Sequence, residues 1–242
     1  MKGVVLAGGL GTRLIPLTSI TNKHLLPVYD KPMIYYPIQT LVDAGIDEVI
    51  IVTGGDSAGD FLRLLKNGKH FGLQRLNYAY QEGEGGIADA LSYAEEFCEG
   101  EPMCVVLGDN IIEKNIISFV EDFKKKPVGS RILLKDVPDP ERFGVPVFEN
   151  DRIIKIEEKP KKPKSKYAVI GIYIFDETVF SRIGNLTPSA RGELEVTDLI
   201  NMYLKEKTLN HSVLDGWWSD AGTFESLLKA SNMVAETGAN KK

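Results

Sequence analysis

Gly3-Val4-Val5-Leu6-Ala7 runs without a break into Gly8-Gly9-Leu10-Gly11-Thr12-Arg13-Leu14, and the fold is decided on this stretch. A short, continuous apolar run reads as a strand covered on both faces, as in a parallel sheet. A glycine-rich turn at the carboxyl end of such a strand is where open α/β sheets take their ligands. Gly8, Gly9 and Gly11 allow the backbone to approach an anion closely and to aim successive N–H groups at it. Arg13 adds a planar fork of donors that suits phosphate. Two familiar phosphate loops are not met. The dinucleotide pattern G-x-G-x-x-G lacks its third glycine, and G-x-x-x-x-G-K-[ST] fails because Thr12-Arg13 follows Gly11.

Outward from the loop, apolar runs alternate with helical periodicity through the first half, the pattern of a parallel sheet with helices on both faces. A helix is expected from about Met33 to Ala44 with Gly45 as its stop, and Pro37 fits only in its first turn. Val49–Thr53 and Tyr78–Tyr80 read as strands, with a helix around Phe61–Leu65 capped by Asp56 or Ser57. Gln81-Glu82-Gly83-Glu84-Gly85-Gly86 is a loop, followed by one helical stripe from Ile87 to Phe97. Met103–Leu107 is a strand that delivers Gly108-Asp109-Asn110, and Ile116–Phe123 marks a helix. Gly144–Phe148 and Ile153–Ile156 flank a turn as a hairpin. Ala168–Phe175 is a further strand, and a helix is expected from about Glu193 to Glu206. A strand near Ser212–Leu214 leads to Trp217-Trp218-Ser219-Asp220-Ala221-Gly222 and a last helix from about Thr223 to Val234. No repeat or long linker divides residues 1–242, which read as a single domain.

A chain of 242 residues with 43% apolar content can bury a full core. Its net charge of −5, with both signs interspersed, argues against nucleic acid as a partner. No apolar stretch reaches the length of a membrane span and no signal-peptide pattern opens the chain. Cys98 and Cys104 lack metal or redox spacing and read as core residues of a cytoplasmic protein. Lys161-Lys162-Pro163-Lys164 reads as a solvated loop.

The segment Leu6–Leu14, taken with Asn22-Lys23-His24-Leu25-Leu26-Pro27-Val28-Tyr29-Asp30-Lys31-Pro32-Met33-Ile34-Tyr35-Tyr36-Pro37, resembles the signature of the sugar-1-phosphate nucleotidylyltransferases. Within that superfamily it is most similar to the branch that works on glucose 1-phosphate with dTTP. The resemblance covers Lys2 to about Met233. It implies a Rossmann-like, mixed and mainly parallel α/β sheet with a smaller β-rich sugar-binding part. The implied reaction joins dTTP and glucose 1-phosphate to give dTDP-glucose and pyrophosphate, with Mg²⁺ and without a covalent enzyme intermediate. It is compatible with a homo-oligomer.

Carried onto this chain, the resemblance gives Leu6, Gly8, Gly9, Gly11, Thr12, Arg13, Gln81, Gly86 and Asp109 to the nucleotide, with Gly85 beside the base. Asn110, Gly144, Glu158, Lys159 and Val169 fall to the sugar. Arg13, Lys23, Lys159 and Asp109 are the catalytic set, and Asp109 with Asp220 the metal ligands. The chemistry agrees with these types. Fixed cations stabilise charge that builds on the α-phosphate and the leaving pyrophosphate. Mg²⁺ favours a few carboxylates plus substrate phosphates. A side-chain amide matches the N3–H and carbonyl edge of thymine or uracil. Two departures, Phe143 for a tyrosine and Ile170 for a threonine, leave the sugar open. UTP or another hexose 1-phosphate would need the same charged residues. A non-catalytic nucleotide-sugar sensor is the rival from another class, and a nicotinamide oxidoreductase the weakest. The polar tail Ala235–Lys242 is expected to fray, and with it any remote inhibitory nucleotide-sugar site to be missing.

Overall fold

In the computed structural model, which describes residues 1–241, the expected strand is β1 (Lys2–Ala7), and it lies at the centre of the parallel block. A small antiparallel pair follows, β2 (Pro27–Val28) and β3 (Lys31–Pro32), and then α1 (Tyr35–Asp43). Next come β4 (Glu48–Gly54), α2 (Ala58–Leu65), β5 (Arg75–Gln81), α3 (Ile87–Ser92), α4 (Glu95–Cys98) and β6 (Met103–Leu107). The order β6-β1-β4-β5 is parallel throughout. Along β1, Val4 and Leu6 face one core, while Val5 and Ala7 face the other. Period-two alternation thus buries both faces, under α3 and α4 on one side and α1 and α2 on the other.

The second half extends the same sheet with antiparallel pairings. After β7 (Ile111–Ile112) and α5 (Ile117–Lys125) come β8 (Ser130–Asp136), β9 (Gly144–Glu149), β10 (Arg152–Glu158) and β11 (Tyr167–Phe175). β11 is the hub: it pairs antiparallel with β6, with β8 and, at Val169, with β9. α6 (Val179–Ile183) and α7 (Val196–Lys205) lead to β12 (Leu209–Val213), which lies parallel to β8. β13 (Trp218–Ser219) and α8 (Phe224–Thr237) complete the chain. The mixed α/β sheet expected from the sequence is present, and the β9–β10 hairpin is its smaller β-rich part.

Several local expectations are corrected. The stripe from Ile87 to Phe97 is two helices, because the chain leaves the first at Tyr93 and starts again after Ala94. The helix expected from Glu193 begins at Val196, since Glu193 is turned back to accept from Ser189 N at 2.8 Å. β8 is a strand with no counterpart among the elements expected from the sequence. Neither Asp56 nor Ser57 caps α2 with its side chain. The tail is docked: Asn240 N donates to Ile112 O at 2.9 Å and Asn115 N to Lys241 O at 2.9 Å. Thr40 Oγ1 also donates to Asn240 Oδ1 at 2.8 Å, which ties the tail to α1. Hydrogen bonds hold this segment, so the scarcity of apolar side chains in it was a poor guide.

Candidate active site

The glycine-rich turn is shaped by what would collide with a side chain. A Cβ on Gly8 would lie 2.6 Å from Gln81 Oε1. Gly11 has φ +67°, and a Cβ there would meet Lys23 Cβ and Thr18 Cγ2 at 2.9 Å. The turn therefore needs glycine both for conformation and for close approach. Beyond it Thr12–Leu14 form a single 3₁₀ turn that leaves Arg13 exposed, its Nη2 3.2 Å from where a Cβ on Gly222 would stand.

β6 ends beside β1, where Gly108 N donates to Leu6 O at 2.8 Å, and the chain then turns through Asp109 and Asn110. Asp109 is buried and pairs with Lys23 Nζ at 2.5 Å. Burial opposes its ionisation, but Lys23 beside it and the amide of Asn110 prevail, so the carboxyl sits below the usual carboxylate range. His24 lies behind this pair. Burial first, then the charge on Lys23, lowers its pKa to about 3, and the neutral ring donates from Nδ1 to Asn22 Oδ1 at 2.7 Å.

β7 and β13 explain how residues more than a hundred positions apart meet. They pair antiparallel, Ile112 opposite Trp218 and Ile111 opposite Ser219, so Asp220 emerges next to the Asp109 turn. Asn110 bolts the arrangement. Its Nδ2 donates to Asp109 Oδ1 at 3.0 Å, and its Oδ1 accepts from Gly171 N at 3.0 Å and Trp218 Nε1 at 2.7 Å. Asp220 Oδ2 accepts from Arg142 Nη2 at 2.9 Å. Each of the two carboxylates thus faces one cation.

Two cavities adjoin at Asp109. The smaller, about 330 Å³, is lined by Leu6, Gly8, Gly9, Lys23, Gln81 and Gly86. The larger, about 600 Å³, is lined by Thr12, Arg13, Asn110, Gly144, Glu158, Lys159, Val169 and Asp220. Asp109 lines both. Of the residues expected at the site, Gly11, Gly85 and Ile170 line neither cavity; Gly11 serves to shape the turn. Gly86, at φ +96°, stands so close to Leu194 that a Cβ would lie 2.7 Å from its carbonyl oxygen. In the larger cavity Glu158 ends β10 opposite Gly144, which in turn pairs with Val169. Glu158 accepts from Thr197 Oγ1 at 2.5 Å and lies 3.4 Å from Arg191 Nη2. Lys159 adopts φ +42° and stays half exposed, 3.6 Å from Glu158.

Arg191 and Thr197 were not legible. Arg191 sits in an irregular loop and Thr197 in the first turn of α7, and only the fold brings them to Glu158. Arg142 was missed for the same reason. Ile170, expected beside the sugar, is fully buried in the opposite core and touches neither cavity. Phe143 does line the larger one, edge-on to Trp218 with ring centroids 5.3 Å apart.

The chain is similar to known proteins over nearly its whole length. The family model for nucleotidyl transferases matches residues 2–237. The chain belongs to the nucleotidyl transferase family. Among its relatives, the glucose-1-phosphate thymidylyltransferase of Neisseria meningitidis is 45% identical over 240 residues, spanning 97% of this chain and 82% of that one. A crystal structure from Bacillus anthracis, provisionally assigned as a glucose-1-phosphate thymidylyltransferase and bound to sucrose, superposes with a TM-score of 0.93 at 49% identity. It covers 98% of this chain and 96% of that one. A UDP-glucose pyrophosphorylase complexed with UDP-glucose superposes with a TM-score of 0.83 at 25% identity, over 97% of this chain and 98% of that one. The nucleotidyl transferase core is therefore shared across differing bases.

Proposed function

We propose that this protein transfers a thymidylyl group from dTTP to α-D-glucose 1-phosphate, giving dTDP-glucose and pyrophosphate. The observation that carries the reading is the junction at Asp109, where a phosphate-loop cavity with a pyrimidine-matching amide meets a second cavity bearing Glu158, Lys159 and Arg191. Two substrates seated there would place a sugar phosphate beside an α-phosphate. The named relatives support dTTP and glucose 1-phosphate as that pair.

The two carboxylates fit Mg²⁺. Among the described residues no group of three or more His, Cys, Asp or Glu could hold a metal, so no all-protein cage exists, and Mg²⁺ is the ion that makes do with one or two carboxylates and substrate phosphates. Bound between Asp109 and Asp220, it would neutralise phosphate charge and organise the triphosphate. The protein's own residues supply the rest. The Gly8-Gly9 backbone receives the nucleotide, Gln81 reads the base, and Glu158 accepts from sugar hydroxyls. Lys159 and Arg191 hold the sugar phosphate. A phosphate oxygen of the sugar then attacks the α-phosphorus in line, the new P–O bond forms, and the bond to the β-phosphate oxygen breaks as pyrophosphate leaves. Lys23 and Arg13 are fixed cations for the charge that spreads over those oxygens. No enzyme nucleophile takes part; positioning and charge stabilisation carry the rate.

We further read the chain as one catalytic domain, because a single sheet runs through both halves. Buried free Cys98 and Cys104 suit a cytoplasmic setting, and no described helix is long and apolar enough to cross a membrane. The test is pyrophosphate release across dTTP, UTP, dCTP and ATP with several sugar 1-phosphates. dTTP with glucose 1-phosphate is expected to give the highest kcat/KM, with UTP next. Efficient use of ATP would defeat the assignment.

A further inference from the structure

Gln81 ends β5 and is buried, with 6% of its surface exposed, yet its amide is only half engaged. Nε2 donates to Asp89 Oδ2 at 2.7 Å and to Gly86 O at 3.4 Å. Both partners are acceptors, so the amide nitrogen has to face them, and the orientation is fixed by chemistry. Oε1 is left on the opposite side, against Gly8 at the edge of the smaller cavity. It has no hydrogen-bond partner among the described residues and is not among the sealed, unpartnered polar atoms, so it is open to the cavity.

Asp89 stands in the first turn of α3 and does not line the cavity. Its carboxyl fits against Gly85, where a Cβ would come within 2.3 Å of Asp89 Cγ. The glycine therefore makes room for a carboxylate behind the glutamine.

We propose that Asp89 is a positioning residue that sets base selectivity, by locking the Gln81 amide with its oxygen toward the nucleotide. This rests on the thymidylyl-transfer reading above. A carbonyl oxygen presented to the base accepts the N3–H of thymine or uracil. It repels cytosine, whose N3 carries a lone pair. Rotating the amide by half a turn would present N–H to cytosine N3 in place of the oxygen. That rotation would set Oε1 against the Asp89 carboxylate and the Gly86 carbonyl, leaving three acceptors facing one another. Selection against cytosine thus comes from a residue that never touches the base.

Asp89→Asn is the test, because it keeps size and shape while allowing the partner amide to turn. Its own NH₂ can face Gln81 Oε1, so the rotated amide becomes tolerable. The ratio of kcat/KM for dTTP over dCTP should fall roughly 10- to 100-fold, the scale of one hydrogen bond to a charged group. The change should lie mainly in KM. The double variant Gln81→Glu with Asp89→Asn restores an acceptor toward N3–H and should recover preference for dTTP over dCTP. A merely structural role would lower kcat/KM for both nucleotides in equal proportion, and an unchanged ratio in Asp89→Asn overturns the proposal. Wild-type protein that binds neither dTTP nor dCTP by calorimetry would instead overturn the reading on which it rests, and Asp89's role with it.

Discussion

Replacing Asn110 by alanine separates an architectural role from direct sugar contact. The side chain is 2% exposed, and its one oxygen accepts two donors from different parts of the chain. Gly171 N–H lies where the β11–β8 register shifts between Val169 and Tyr173, so the ladder offers it no carbonyl there. Leaving it unpaired in a buried place costs about 1–3 kcal/mol. Trp218 is a partly exposed residue whose indole can turn to water, which reduces its share to about 0.5–1.5 kcal/mol. Asn110→Ala should thus destabilise the fold by about 1.5–4.5 kcal/mol, read from urea unfolding at neutral pH. It should also weaken Mg²⁺-dependent turnover, because the same amide orients Asp109. An Asn110→Ala protein within about 0.5 kcal/mol of wild type, with only a raised KM for the sugar phosphate, would refute this account and make Asn110 a simple ligand.

Asp109→Asn and Asp220→Asn keep side-chain volume and should each abolish Mg²⁺-dependent turnover; near-normal activity at saturating Mg²⁺ would exclude that residue as a metal ligand. Arg13→Ala should lower kcat by roughly 10²–10³, with little change in KM for the sugar phosphate, since an exposed cation costs little packing. His24 contributes an acid dependence to stability. Its pKa is about 3 in the fold against 6.5 for a free side chain, so the unfolded chain binds more protons in between. Stability from the neutral ring is present above pH 6.5 and is lost as pH falls toward 3, by up to about 1.4 kcal/mol per pH unit. Urea titrations at pH 7 and pH 5 should show this loss in wild type and a smaller one in His24→Gln; equal losses would count against it.

The parts of the site legible in advance are those carried by continuous sequence. Gly8 to Arg13 and Asp109 each follow an apolar run, and strand ends in an α/β sheet point at the ligand. The parts that escaped depend on contacts between distant segments. Arg191 and Arg142 are ordinary surface arginines by composition, and only loop placement brings them to Glu158 and Asp220. Asp89 reads as a helix-start carboxylate until Gly85 and Gln81 are seen packed around it. β8 has a plain strand pattern in Ile132-Leu133-Leu134, hidden between a charged helix end and a proline-rich turn. Ile170 was misplaced because neighbours on a strand face opposite sides: Val169 faces the cavity and Ile170 the far core.

The central claim is that the sugar phosphate itself attacks the α-phosphorus of dTTP at the junction of the two cavities. Glucose 1-phosphate carrying oxygen-18 in its terminal phosphoryl oxygens, incubated with dTTP, Mg²⁺ and the protein, follows that bond. Mass spectrometry should find dTDP-glucose with the full label and pyrophosphate with none. Label in pyrophosphate, or dTTP consumed without dTDP-glucose, would contradict the account.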